Sequence, residues 1–145
     1  SSNTISAVTS GTLSQSNSKD GGAVFDLANM KPGDTLNGSL PLTNTGSLPA
    51  TFSLTETASA NSFTGSNLTL AITNTTTGAS VYNGTFGGLV DGTKTDLGVV
   101  QAGVANTYKF TVKLAAGTPN ADQGKTASAS YQWDSIQLDG DTYEQ

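Results

Sequence analysis

The sequence predicts an all-β fold, a two-sheet antiparallel sandwich of jelly-roll (immunoglobulin-like) type, and three observations predict it. The chain carries 23 Thr, 17 Ser, 11 Asn and 17 Gly, together 68 of its 145 residues. Charged residues make up 12%, against about a quarter in an average domain, so strand and turn formers abound while helix formers are scarce. Apolar residues recur with a period of two, the signature of a strand with one buried face. Turn residues then divide the chain into eight to ten short segments, the spacing of a sandwich. At 145 residues and 14.6 kDa it has the length of one domain, long enough to remove roughly 70% of its unfolded surface from water.

Taken in order, Leu36, Leu40 and Leu42 share one parity. Phe52 and Leu54 follow the corner Asn44-Thr45-Gly46-Ser47, a cluster of turn formers. Leu68, Leu70 and Ile72 alternate with polar or small residues, as do Tyr108, Phe110, Val112 and Leu114. Ala127, Ala129, Tyr131 and Trp133 form a further set, after which Ile136 and Leu138 take the opposite parity, predicting a β-bulge near Asp134-Ser135. Weaker strands are expected over 11–16, 23–27, 79–82, 85–89 and 95–100, separated by turns such as Lys31-Pro32-Gly33-Asp34, Asn83-Gly84 and Asp91-Gly92. A single helical turn is expected within 120–125. The buried parity of Tyr108, Phe110, Tyr131 and Trp133 predicts core packing rather than a sugar-stacking platform.

Composition excludes several kinds of chemistry. The chain has no histidine and no cysteine, so no Ser-His-Asp or Cys-His nucleophile, His-ligated zinc or disulfide can form. Six lysines, no arginine and eleven acids give a net charge of −5, the wrong sign for a nucleic-acid partner. No apolar run approaches the ~20 residues of a membrane-spanning helix. A start at Ser1 without a basic and apolar leader reads as a mature, processed chain, and the weakly charged, hydroxyl-rich surface is expected of a secreted or cell-surface protein.

The run from Phe25 to Thr35, which includes Asn29-Met30-Lys31-Pro32-Gly33-Asp34, leads to Leu42-Thr43-Asn44-Thr45-Gly46-Ser47-Leu48. With Ser10-Gly11-Thr12-Leu13 before it and Tyr131-Gln132-Trp133-Asp134-Ser135-Ile136-Gln137 near the end, this ordered set resembles the TasA/camelysin family of secreted biofilm matrix filament proteins, whose relatives include archaeal bundling pilins. The resemblance implies a jelly-roll subunit of an extracellular filament that polymerises by donor-strand complementation, its partners being copies of itself and other matrix components. It divides the chain into an N-terminal donor strand or arm, 1–12, and a β-sandwich domain, 13–145. Along the arm Ile5, Ala7, Thr9, Gly11 and Leu13 share one parity and form the face expected to enter a neighbour's groove. A monomeric surface or adhesion module of the same fold is the alternative. The peptidase activity attached to camelysin-like proteins needs two imidazoles on one helix, which this chain lacks, so no enzyme is expected.

Among binding candidates, Asp134, Asp139, Asp141 and Glu144 fall close together near the C-terminus, and Asp91 and Asp96 flank Gly92-Thr93-Lys94-Thr95. Both are weak calcium candidates, since neither matches an EF-hand loop and Asp-Gly pairs are ordinary turn formers; no other cofactor is implied. Four N-x-S/T sequons begin at Asn37, Asn67, Asn74 and Asn83; with so many hydroxyl residues about three arise by chance, so they do not signal glycosylation. Leu48-Pro49-Ala50-Thr51-Phe52 lacks the glycine and following tail of a sortase signal and reads as a strand start.

Overall fold

The structure is a computed structural model. It describes residues 2–6, 14–18, 22–28, 30–122 and 124–138, with side chains over 25–28, 30–120, 122 and 124–138. Among the described residues ten strands form: β1 Ser2–Ser6, β2 Ser14–Ser18, β3 Gly22–Leu27, β4 Thr35–Thr43, β5 Ala50–Asn61, β6 Leu68–Asn74, β7 Ser80–Thr85, β8 Lys94–Val100, β9 Ala105–Leu114 and β10 Ala127–Gln137. One 3-10 turn, Asn120–Asp122, stands where a helical turn was expected.

Strands β3 to β10 make two antiparallel sheets, ordered β3-β10-β5-β8 and β4-β9-β6-β7. The chain crosses between sheets at every connection except β6 to β7, which is the strand order of a jelly roll. Strand β1 pairs with β2 in a separate two-stranded ribbon, and β1 runs beside β3. Asn44 turns the corner from β4 to β5: its Nδ2 donates to the Leu48 and Val100 carbonyls, each at 2.9 Å, and its Oδ1 accepts from Gly46 N at 3.0 Å.

The alternation read in the sequence lines the core. Leu36 and Leu40 of β4, Leu68, Leu70 and Ile72 of β6, and Tyr108, Phe110, Val112 and Leu114 of β9 are buried from one sheet, facing Leu54 of β5 and Ala127, Ala129, Tyr131 and Trp133 of β10 from the other. Phe110 meets Phe25 at a ring-centroid distance of 5.3 Å, Tyr131 at 5.7 Å and Trp133 at 5.9 Å, tilted or edge-on as aromatic quadrupoles prefer. Asp122 secures the far end of the sandwich. Its carboxylate accepts from Thr64 Oγ1 at 2.6 Å and Thr64 N at 3.1 Å, and Lys125 Nζ lies 3.6 Å away. These contacts, the Thr64 hydroxyl first, hold its pKa below the ordinary value of 3.8.

Three expectations are corrected. No bulge interrupts β10 at Asp134-Ser135, because Trp133 to Gln137 pair without a break with Leu54 to Ala50; Ile136 therefore falls on the outer face, 64% exposed. The bulge lies instead on β5, where Ser130 and Tyr131 oppose Ala58 and Glu56 and Thr57 is the extra residue. Nor does Asn83-Gly84 break a strand, since both residues pair with β6 inside β7. The strand expected over 85–89 does not form beyond Thr85, which closes β7, because Gly87 takes a left-handed φ of 77° just after Phe86 enters the core.

Truncating the ring at the centre of the cluster, Phe110→Ala, is expected to destabilise the fold by about 3–5 kcal/mol, whereas Ile136→Ser changes stability by less than about 0.5 kcal/mol. Urea unfolding followed by tryptophan fluorescence measures both.

Candidate assembly groove and buried carboxylate

The jelly-roll order places β7 and β8 at edges of different sheets, each paired on one side only, and between them opens a groove of about 390 Å³. Each of these strands carries a bulge. Val81 is the extra residue of β7, between partners of Ile72 and Thr73, and Leu97 is the extra residue of β8, between partners of Phe52 and Ser53. A bulge bends its strand and re-aims a side chain, and both extra residues line the groove. Val99 and Val104 add apolar walls that are 54% and 42% exposed, with Tyr108 among the remaining lining. The result is a slot of mixed lining, apolar at Val81, Leu97, Val99 and Val104 and polar at Asp96, Gln101 and Asn106, flanked by two strands whose outer edges have no partner among the described residues. Pockets for alternate side chains beside an unpaired edge are what strand addition requires.

Of the expected donor face, Ile5 lies in β1, its backbone opposite Gln15; Ala7, Thr9, Gly11 and Leu13 lie outside the described residues. Of the C-terminal acids, Asp134 stands opposite Ser53 on β10; Asp139, Asp141 and Glu144 lie outside the described residues. Asp91 and Asp96 serve different structures. Asp96 Oδ1 accepts from Gly98 N at 2.8 Å, while the Asp91 carboxylate accepts from Ser59 Oγ at 3.2 and 3.4 Å. Among the sequons, Asn37 and Asn83 are exposed, whereas Asn74 is buried and its Oδ1 accepts from Thr76 N and Thr77 N.

A buried carboxylate is the feature that motif reading missed. Glu56 is 1% exposed, because the inward parity of Phe52 and Leu54 continues to it before the Thr57 bulge resets the strand. Its Oε1 accepts from the Tyr131 hydroxyl at 2.8 Å, while its Oε2 is buried with no hydrogen-bond partner. Asp91 faces it from the 86–93 loop, which Gly92 N ties to the Glu56 carbonyl at 2.9 Å. Tyr82 lies close enough for the Glu56 charge to act on its phenol, and its hydroxyl donates to the Thr85 carbonyl at 2.6 Å. A Cβ on Gly84 would stand 2.7 Å from that hydroxyl, and one on Gly88 closer still, so a side chain at either position would displace the end of the Tyr82 ring. Burial above all, then contact with Asp91 and its charge, push the Glu56 carboxyl up to about 7, against a lowering effect of the Tyr131 hydroxyl. Burial and the neighbouring Glu56 raise Tyr131 in turn. A continued alternation Phe52, Leu54, Glu56 was the signal that could have found this residue.

No protein-family model, no curated protein and no solved structure matches the chain.

The Glu56 carboxyl binds a proton in the folded state with a value of about 7, against 4.5 for the free group. Its effect on stability is therefore most favourable below pH 4.5 and is lost as pH rises toward and through 7. The shift corresponds to roughly 3 kcal/mol, reduced by whatever water screens at the pocket mouth. In metal-free buffer with chelator, urea unfolding should show lower stability at pH 8 than at pH 5, and Glu56→Gln should remove most of that difference. The chain has no histidine to titrate in the same window.

Proposed function

We propose that this chain is a non-enzymatic structural subunit of a secreted extracellular filament, a fibre or pilus of biofilm matrix type, that polymerises head to tail by donor-strand complementation. The N-terminal segment of one subunit occupies the β7/β8 groove of the next. The observation that carries this reading is the groove itself, a slot with valine and leucine walls between two bulged strands whose outer edges have no partner among the described residues. The resemblance to the TasA/camelysin family supports it from the sequence side. Because β1 runs beside β3, the arm departs near the edge opposite the groove. A contact between unlike surfaces on opposite edges leaves each subunit with one free arm and one free groove, the condition for open-ended growth.

Burying Ile5 and Ala7 contributes about 3 kcal/mol, and each new backbone hydrogen bond about 1 kcal/mol. That is modest for one joint, so contacts between sandwich-end loops share the load. A specific observation favours the second reading, a monomeric surface module: β1 pairs with β2 and lies beside β3 of its own chain, so this part of the arm packs on its own subunit.

Size-exclusion chromatography and electron microscopy separate the two. Deleting residues 1–10 should leave a folded, soluble monomer; Ile5→Asp should do nearly the same, because a carboxylate in an apolar groove is penalised by several kcal/mol, and Val8→Asp, on the opposite parity, much less. Val99→Lys, at an exposed groove wall, should block the acceptor. Mixing the deletion variant with Val99→Lys should give dimers and nothing longer, since each supplies the half that the other lacks. Filaments from the deletion variant would refute N-terminal donor-strand assembly. Filaments themselves, with a charge of −5 per subunit, should bundle as pH falls toward the pI of 4.2 or as millimolar calcium is added; turbidity and negative-stain images measure it.

A further inference from the structure

We infer that the pocket formed by Glu56, Asp91 and Ser59 is a binding site for a hard divalent cation of the calcium kind. Two carboxylates face one another there, and one oxygen of the pair, Glu56 Oε2, is buried without any hydrogen-bond partner. Its sister atom is satisfied by Tyr131 at 2.8 Å, so the side chain is held in place with its free oxygen unpaired. Leaving an ionised oxygen desolvated and unpaired is among the costliest arrangements in a protein interior.

Further oxygens lie beside it. The Ser59 hydroxyl stands 3.2 and 3.4 Å from the two Asp91 carboxylate oxygens and 3.5 Å from the Gly87 carbonyl. Glu56 Oε2, the Asp91 carboxylate, Ser59 Oγ and the Gly87 carbonyl are all hard donors, and they include both charged and neutral types. No side-chain cation among the described residues compensates the two acids, since the ion pair there, Lys125 with Asp122, lies elsewhere. Calcium accepts carboxylate, hydroxyl and carbonyl oxygens in irregular arrangements and completes its shell with water, whereas magnesium demands a tighter octahedron. An irregular loop meeting the bulged middle of a strand suits the former. A bound cation would tie the 86–93 loop, and with it the connection between β7 and β8, to β5. The site needs no assembly to form, so it stands independently of the filament reading.

Terbium, which takes calcium's ligands and is sensitised by nearby tyrosine, is the first probe, because the Tyr131 hydroxyl touches Glu56 directly. Titrating the metal-free full chain with terbium at pH 7.5 should give saturable luminescence that calcium displaces. Millimolar calcium should raise the melting temperature over that in chelator. Asp91→Asn, in an exposed loop position, should weaken both responses at least about tenfold in affinity, while Asp139→Asn should leave them unchanged. A melting temperature equal in calcium and chelator, or a luminescence response indifferent to Asp91→Asn, would overturn the assignment. So would a melting temperature that follows pH alone, which would mean that the two carboxyls share a proton instead.

Discussion

The two sheets are held together chiefly by aromatic rings that meet across the gap: Phe110 from the β9 side, Phe25, Tyr131 and Trp133 from the β3 and β10 side, and Phe86 from the loop after β7. Their centroids lie 5.3 to 6.2 Å apart. In a chain nearly half Thr, Ser, Asn and Gly, these rings and the few aliphatic side chains around them supply most of the apolar burial that drives folding. Hydroxyl-rich outer faces follow from the same economy: every second residue of a strand is committed to the core, and the remainder can be polar without cost.

An open sandwich leaves edges, and the jelly-roll order brings them together in pairs, β3 with β4 and β7 with β8. The first pair has β1 running beside β3 and Pro41 in β4, a residue with no N–H to offer a neighbour. The second pair is bent by bulges at Val81 and Leu97. Such bulges discourage indiscriminate edge-to-edge pairing. Here they also aim apolar side chains into the space between the sheets, so that protection of the edge and construction of the groove come from the same local distortion.

Glu56 belongs to this economy as a strained member. The inward register of β5 carries its carboxylate into the interior beside Tyr131, and the bulge at Thr57 comes one residue too late to turn it out. Tyr131 and the 86–93 loop then enclose it, with one oxygen left unpaired. A hydrophobic residue would pack at this position without penalty, which is why the retained carboxylate, rather than the acidic tail, marks the pocket as a place where charge has a use.

Much of the architecture was legible in the residues. The alternations over Leu68 to Ile72, Tyr108 to Leu114 and Ala127 to Trp133 determined three central strands and their buried faces, because a period of two is a local property that burial of one face imposes directly. The absence of histidine and cysteine determined which chemistries are impossible, and the turn at Asn44 was visible as a cluster of residues with local hydrogen-bonding habits. What only the tertiary structure decided concerns which strands meet. Register across the sheets placed Ile136 outside and moved the bulge from β10 to β5; pairing with β6 drew Asn83-Gly84 into a strand despite its turn chemistry. The union of β7 and β8 into one groove, and of Glu56 with Asp91 thirty-five residues away in the chain, depends on long-range hydrogen bonding between segments, which no window of local sequence contains.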